Sequence, residues 1–458
     1  MEYIKIDKNI CTGCRECAKI CPADAICGEQ GQPQTIDESK CIHCGQCVQK
    51  CKSYVSYNGE NDSEYSKLRS ERKLPDTVKE PLFAAYNVCH INEVVENLNN
   101  PSKVCVVSCA PAVRVAIAEE FGYEAGTQDS GKLAAALYAL GFDHVYDTNF
   151  SADVTIMEEG TELIGRVTEN SGKLPMFTSC CPGWVSYMEN NYPELKDNLS
   201  TCKSPQQMQG VLEKTYGAEL LHVDSASLYT VSIMPCTAKQ FESSRDEMWD
   251  SDHRDVDVVL TTRELAYLIK NKGIDYKNLE PAKFEEPLGD YTGAGAIFGV
   301  TGGVMEAAVR TGYELVTGKP VENLNISEVR GFEGFRTAEF KLNDELTLKV
   351  GVVTGLANVK DVIKKVKNKE LDLHFIEVMA CPKGCISGGG QPKLLEDIDK
   401  EYVYEARKNA IYKHDEELPI RKSHENPQIK RIYDEFLEKP NSEKSHHLLH
   451  TEYCIKGR

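Results

Sequence analysis

The sequence predicts a multidomain α/β fold: a small α+β head rich in cysteine, then a large α/β body with parallel, mostly buried sheets. Three observations predict this. Nine of the 19 cysteines fall within the first 51 residues, as an internal repeat. Beyond about residue 85, short β-rich runs alternate with helical stretches, the pattern of buried parallel sheets. The remaining thiols gather in Gly- and Pro-rich segments just past predicted strands. A chain of 458 residues is long enough for several domains and a large core.

In the head, Cys11-Thr-Gly-Cys14-Arg-Glu-Cys17-Ala-Lys-Ile-Cys21 recurs as Cys41-Ile-His-Cys44-Gly-Gln-Cys47-Val-Gln-Lys-Cys51. Three thiolates on one tight turn wrap three corners of an iron–sulfur cube, and the fourth cysteine ligates the other cluster. Cys11, Cys14, Cys17 and Cys51 are therefore assigned to one 4Fe-4S cluster, and Cys41, Cys44, Cys47 and Cys21 to a second. The run resembles a bacterial two-cluster ferredoxin. A pair of zinc sites is the alternative, but zinc sites pair C-x₂-C with a distant second pair. Lys52 stands where that pattern has Pro, and Cys27 falls outside it as a packed thiol. Residues 52 to about 85 are polar and read as a connector. Its Lys67, Arg69, Arg72 and Lys73 read as a solvated face rather than a docking patch. The domains are placed at 1–80 and 81–458.

In the body, Lys103–Ser108 reads as a strand, Ala112–Phe121 and Lys132–Leu140 as helices, and His144–Tyr146 as a short strand. Asp153–Glu169 is a longer helix. Tyr229–Met234 and Val256–Leu260 are strands, followed by helix Thr262–Asn271 and helix Val304–Val316. Phe340–Val353 alternates with period two around a turn at Asn343-Asp344, a hairpin. Ala357–Lys367 is helical and His374–Met379 a buried strand. Cys180 and Cys181 follow Pro175–Phe177, Cys236 follows Tyr229–Met234, and Cys381 and Cys385 follow His374–Met379. In open α/β sheets the carboxyl edge of the strands is where ligands bind, so these thiols suggest one shared metal site. Unrelated core cysteines are the alternative. Against it stand the neighbouring glycines, which let backbone approach a bulky inorganic group.

Thr178-Ser-Cys-Cys-Pro-Gly-Trp184, Met234-Pro-Cys-Thr-Ala-Lys-Gln-Phe-Glu242 and Glu377-Val-Met-Ala-Cys-Pro-Lys-Gly-Cys-Ile-Ser-Gly-Gly-Gly-Gln391 resemble the three signature loops of iron-only (FeFe) hydrogenases. The resemblance runs from about residue 85 to the tail. It implies a ferredoxin-like head and a two-lobed hydrogenase domain with sheets on either side of the active site. It also implies an H-cluster, a 4Fe-4S cube bridged by cysteine to a di-iron centre with CO, cyanide and a dithiolate amine bridge. The implied cube ligands are Cys181, Cys236, Cys381 and Cys385, the last also being the bridge. Lys239 would donate to one cyanide, with Ala110 and Pro111 placing backbone near the other. Met234, Gln206 and Met379 would line the pocket. Cys180 would pass protons toward Glu159, Ser200, Glu162 and Arg166. Without the resemblance, Glu162 and Arg166 are an i,i+4 ion pair on a solvated helix. Lys383 and Ser387 depart from the family pattern. Lys383 either shifts the cluster potential or points outward. Cys109 is expected to be a packing thiol, and metal binding at His446, His447 and His450 is not expected.

Lys+Arg 53 against Asp+Glu 71 gives a net charge of −18, which disfavours nucleic acid as a partner. No apolar run reaches the 18 residues a membrane span needs, and the first residues lack a secretory h-region, so a cytoplasmic location is expected. The implied reaction is the reversible conversion of 2H⁺ and 2e⁻ to H₂. Its implied partners are a soluble ferredoxin or flavodoxin and the maturation enzymes that build the di-iron unit. A hydrogen sensor or an iron–sulfur assembly protein of the same superfamily, with low turnover, is the other reading. The tail to Arg458 is short for an appended signalling domain.

Overall fold

The computed structural model describes residues 3–344, 346–395 and 397–453; Cys454 lies outside them. In the head the two halves of the repeat fold alike. Gly13 and Arg15 in the first half, and His43 and Gly45 in the second, all take left-handed backbone with φ between 55° and 70°. That turn curls each C-x₂-C-x₂-C loop before a one-turn helix, Glu16–Ile20 or Gln46–Lys50. Strand β1 (Ile4–Ile6) and the small pair β2 (Ile26–Cys27) and β3 (Thr35–Ile36) complete this part. Next come β4 (Tyr54–Val55), β5 (Leu82–Phe83) and β6 (Ala85–Asn87). β4 pairs with β5, and β6 returns to pair antiparallel with β1.

The expected connector is therefore ordered. Helix Ser63–Glu71, capped by the Asp62 side chain on the Tyr65 N–H, buries Tyr65 and Leu68 against Ile10, Val78 and Leu82. Arg72 does not belong to a solvated face. It is buried, donating to the Phe83 carbonyl at 2.8 Å and pairing with Asp7 at 3.4 Å. A thin apolar side on a polar segment carries too little periodicity to be read from sequence. Cys27 is exposed rather than packed.

The body holds β7 (Val104–Cys109), β8 (His144–Asp147), β9 (Met176–Phe177), β10 (Leu228–Met234), β11 (Val258–Thr261), β12 (Phe335–Lys341), β13 (Thr347–Thr354) and β14 (Phe375–Met379). One sheet runs β11-β10-β7-β8, wholly parallel. The other runs β12-β13-β14-β9, parallel except for the β12–β13 hairpin. Helix Thr148–Thr168 is held between the two. Its Phe150 and Val154 pack with Val106 and Tyr146 of the first lobe. Its Ala152, Ile156 and Leu163 pack with Met176, Val350 and Phe375 of the second. A helix covered on both sides buries even its charged residues, which is why Glu158 and Glu159 are 0% and 2% exposed. It also begins five residues before the expected start, because Asp147 accepts from the Asn149 N–H and caps it there.

Ala112–Phe121 is not an α-helix; only a 3₁₀ turn, Ile117–Phe121, forms. The Ala112 carbonyl accepts from Gln391 at 2.8 Å. Arg114 is buried in a two-pronged pair with Asp147 at 2.8 and 2.9 Å. Tertiary partners here replace helical ones. Among the described residues, no helix is long and apolar enough to cross a membrane.

Candidate active site

Because β7, β10, β14 and β9 are parallel to their sheet neighbours, each lobe opens its carboxyl edge to the same space. The segments that follow them, Ala110-Pro111, Met234–Cys236, Met379–Cys381 and Cys180–Cys181, line one cavity. Gln206, Lys239 and Cys385 line it too. Every residue expected of the cluster pocket is therefore present. Thr148, Ala152, Phe298 and Gly299 also line it and were not among the expected site residues.

Each thiol is placed by a local device. Cys181 stands just before helix Pro182–Asn191, which has Pro at its first position, and its sulfur accepts the Ala380 N–H at 3.4 Å. Cys385 follows Gly384, whose φ is 77°. A Cβ on Gly384 would stand 2.6 Å from the Thr301 nitrogen, so only glycine permits that loop path. Burial raises the pKa of Cys181, and burial followed by the charge of neighbouring thiols raises those of Cys236, Cys381 and Cys385, Cys236 to about 12. Four buried sulfurs that repel one another as thiolates form a donor set for a soft multivalent metal group. Gln206 Oε1 and Thr148 Oγ1 are buried without hydrogen-bond partners. Polar atoms left open in a cavity otherwise walled by Met234, Met379, Pro111 and Phe298 fit a group that fills it.

Lys239 is buried and anchored, its Nζ 2.9 and 3.1 Å from the Glu242 carboxylate and 3.1 Å from the Cys180 carbonyl. Glu242 also receives Ser204 at 2.8 Å and Gln206 at 3.1 Å. It is the last residue of the second signature loop and sits one helical turn from Lys239, a spacing that points to the pair. Cys109 is fully buried and outside the cavity lining. Lys383 points outward, pairing with Glu401 at 2.8 Å and covering the Phe332 ring at 4.4 Å. Ser387 ties its own turn, donating to the Gly384 carbonyl and accepting from the Lys383 N–H, both at 3.0 Å.

Behind Cys180 the helix between the lobes supplies Glu159. Neither of its carboxylate oxygens has a hydrogen-bond partner within ordinary length. Burial, with the Glu162 charge adding to it, pushes its pKa up to about 8. The same burial, with Glu159 next in effect, holds Cys180 well above the ordinary thiol range. Ser200 donates to Glu162 at 2.7 Å, and Glu162 pairs with Arg166 at 2.5 Å. Arg166 is not on a solvated helix face. It is buried and also donates to the carbonyls of Lys173, Asp197 and Leu199.

In the head, the charges nearest Cys17 are those of Cys51, Cys11 and Cys14, while Cys44 and Cys47 face Cys41 and Cys21. Cys51 of the second half thus acts on a thiol of the first half, and Cys21 of the first half on thiols of the second. The second group lies toward the body, where Cys381 feels Cys44.

Three family models match the chain: the C-terminal domain of the iron-only hydrogenase large subunit over residues 103–389, the iron hydrogenase small subunit over 400–455, and a 4Fe-4S dicluster domain over 3–52. The chain is 43% identical to an NADP-reducing hydrogenase subunit, HndD, of Solidesulfovibrio fructosivorans, over 99% of this chain and 74% of that one. It is 41% identical to iron hydrogenase 1 of Clostridium pasteurianum, over 93% and 76% respectively. The solved FeFe-hydrogenase HydA1 of Chlamydomonas reinhardtii superposes with a TM-score of 0.71 at 41% identity, covering 81% of this chain and 100% of that one. The chain belongs to the iron-only (FeFe) hydrogenases, oxidoreductases acting on H₂, with two 4Fe-4S clusters in a dicluster head and an H-cluster in the body.

Proposed function

We propose that the chain interconverts H₂ with protons and electrons in the cytoplasm, exchanging electrons through the head with a soluble ferredoxin or flavodoxin. One observation carries this reading. Three signature loops, from strands in two lobes, meet at one cavity that also holds the thiol of Cys180, with the buried carboxylate of Glu159 close behind. We assign residues 1–80 to electron transfer and 81–458 to catalysis.

In the body, Cys181, Cys236, Cys381 and Cys385 would hold the cube, with Cys385 shared with the di-iron unit. When bound, the H-cluster supplies the open iron position and the bridge amine at which H₂ is split. Lys239, fixed by Glu242, presents a cation to the cavity wall and would donate to a cyanide. Ala110 and Pro111 bring backbone to the opposite side, while Met234, Gln206 and Met379 exclude water. Cys180, a neutral thiol, would hand its own S–H proton on toward Glu159 as it accepts the departing proton on Sγ, so that its charge is unchanged. From there the path runs through a water to Glu159, then Ser200 and Glu162. Arg166 ends it by holding Glu162 in place. Cys41, Cys44, Cys47 and Cys21 would hold the head cluster nearer the cube, and Cys11, Cys14, Cys17 and Cys51 the farther one; the two would supply the electron path between the body and a carrier.

The test is H₂-driven reduction of a viologen dye under strict anaerobiosis, with the protein co-produced with the maturation enzymes. Rapid dye reduction that disappears in Cys385→Ser is expected. Negligible turnover from protein carrying about 14 irons, three cubes and a di-iron pair, beside an active control hydrogenase, would overturn the catalytic reading in favour of a sensor.

A further inference from the structure

The head meets the signature loops through one short helix. Gln46 and Gln49 both lie on helix Gln46–Lys50. Gln49 donates to the carbonyls of Gly388 at 3.2 Å and Gln391 at 2.9 Å. Gln46 is buried and spends its amide differently: Nε2 donates to Cys381 Sγ at 3.2 Å and to the Ser387 carbonyl at 3.0 Å. Among the described residues it is the side chain that donates to a sulfur of the four body thiols. Cys181 receives a backbone N–H instead.

The contact is as close as backbone allows. A Cβ on Gly45 would stand 2.4 Å from Thr237 Oγ1, and one on Gly389 would stand 2.4 Å from the Cys44 carbonyl oxygen. Thr237 donates across the same seam to the His43 carbonyl at 2.7 Å. The seam therefore joins the Cys44 loop of the head to the Cys236 and Cys381 loops of the body.

We propose that Gln46 is a positioning residue for electron entry: its amide raises the reduction potential of the body cube by donating to the Cys381 sulfur. This rests on the reading of Cys381 as a cube ligand. Reduction places one electron on the cube, and part of that charge falls on the cysteine sulfurs. A donor aimed at one sulfur stabilises the reduced form more than the oxidised form, so the potential rises. No proton needs to move. The donor comes from the electron-transfer head, so the cube has its full potential only when the head is seated. Gln49 holds the same loop without touching a sulfur and should hold position alone.

The experiment uses full-length protein made without the maturation enzymes, so that it carries cubes but no di-iron unit and needs no turnover. Its cubes are followed by electron paramagnetic resonance during a redox titration. Gln46→Met keeps the volume and removes the donor. The expected result is a shift of the body-cube midpoint to more negative potential, with both head cubes unmoved. Gln49→Met should leave the body-cube midpoint where it is in the unmodified protein. An unmoved midpoint in Gln46→Met, or an equal shift in Gln49→Met, would overturn the proposal. Gln46→Asn, which withdraws the amide by one methylene, is the second variant and should shift in the same sense. If neither Gln46 variant retains the body cube, the residue is a structural requirement and the tuning role is refuted. Absence of a third cube from the unmodified protein would instead refute the ligand reading itself.

Discussion

Glu159 lies on the helix that both lobes cover, and its buried carboxyl has a pKa of about 8 in place of 4.5. The unfolded chain therefore releases this proton first. Folding stability falls as pH rises from about 4.5, and the loss is complete above about 8. At about 1.4 kcal/mol per pH unit, the full penalty on the charged form is about 5 kcal/mol. Between pH 6 and pH 9 the change is about 3 kcal/mol. Glu159→Gln keeps the shape and removes the titration. The variant should gain stability over the unmodified protein as pH rises from 6 to 9, by about 3 °C in unfolding temperature for a chain this long. At the same time it cannot carry a proton, so H₂ turnover should fall by about a hundredfold or more, with iron content unchanged. Anaerobic scanning calorimetry at the two pH values and dye-linked turnover read the two effects separately. Turnover within about twofold of the unmodified protein would refute the relay. A stability difference that does not grow with pH would refute the raised pKa.

Other outcomes follow from the same geometry. Cys180→Ser should leave iron content near normal while cutting turnover about a hundredfold or more, because the hydroxyl is a far weaker acid than the thiol; normal turnover would remove Cys180 from the path. Gly384→Ala forces a Cβ to within 2.6 Å of the Thr301 nitrogen at a φ of 77°; a strain of about 1–3 kcal/mol should lower H-cluster occupancy, read by infrared absorption of its CO and cyanide ligands. Arg310→Met removes the guanidinium that Glu306 and Asp415 share, both 0% exposed in their side chains, and leaves them only Arg330 and Arg421 respectively; the loss should be about 1–3 kcal/mol by thermal unfolding, with turnover per loaded cluster unchanged.

The strands that position the site are legible in the sequence because they are short apolar runs with Gly or Pro close by. β7, β8, β10, β14 and the β12–β13 hairpin lie where the pattern places them, within a few residues. Ala112–Phe121 misleads because it is apolar in a helix-like way. Its carbonyls and Arg114 find partners across the chain instead, in Gln391 and Asp147. The segment from 52 to 85 misleads for the opposite reason: its buried side is only a few residues wide. Gln46 leaves no signal, since one glutamine between two cluster cysteines looks like any surface amide.

What the sequence determined by itself was the inventory of the chemistry. Ligand spacing is a local property, and two C-x₂-C-x₂-C-x₃-C runs with three thiol-bearing loops specify their clusters before any fold is known. What only the tertiary structure decided was environment. It buried Glu159 by packing one helix between two sheets, turned Lys383 away from the cavity toward Glu401, drew Arg72 into the head, and brought Gln46 to the Cys381 sulfur across 335 residues of chain. Burial, charge and hydrogen bonding at a site depend on residues distant in sequence, and chain folding alone brings those together.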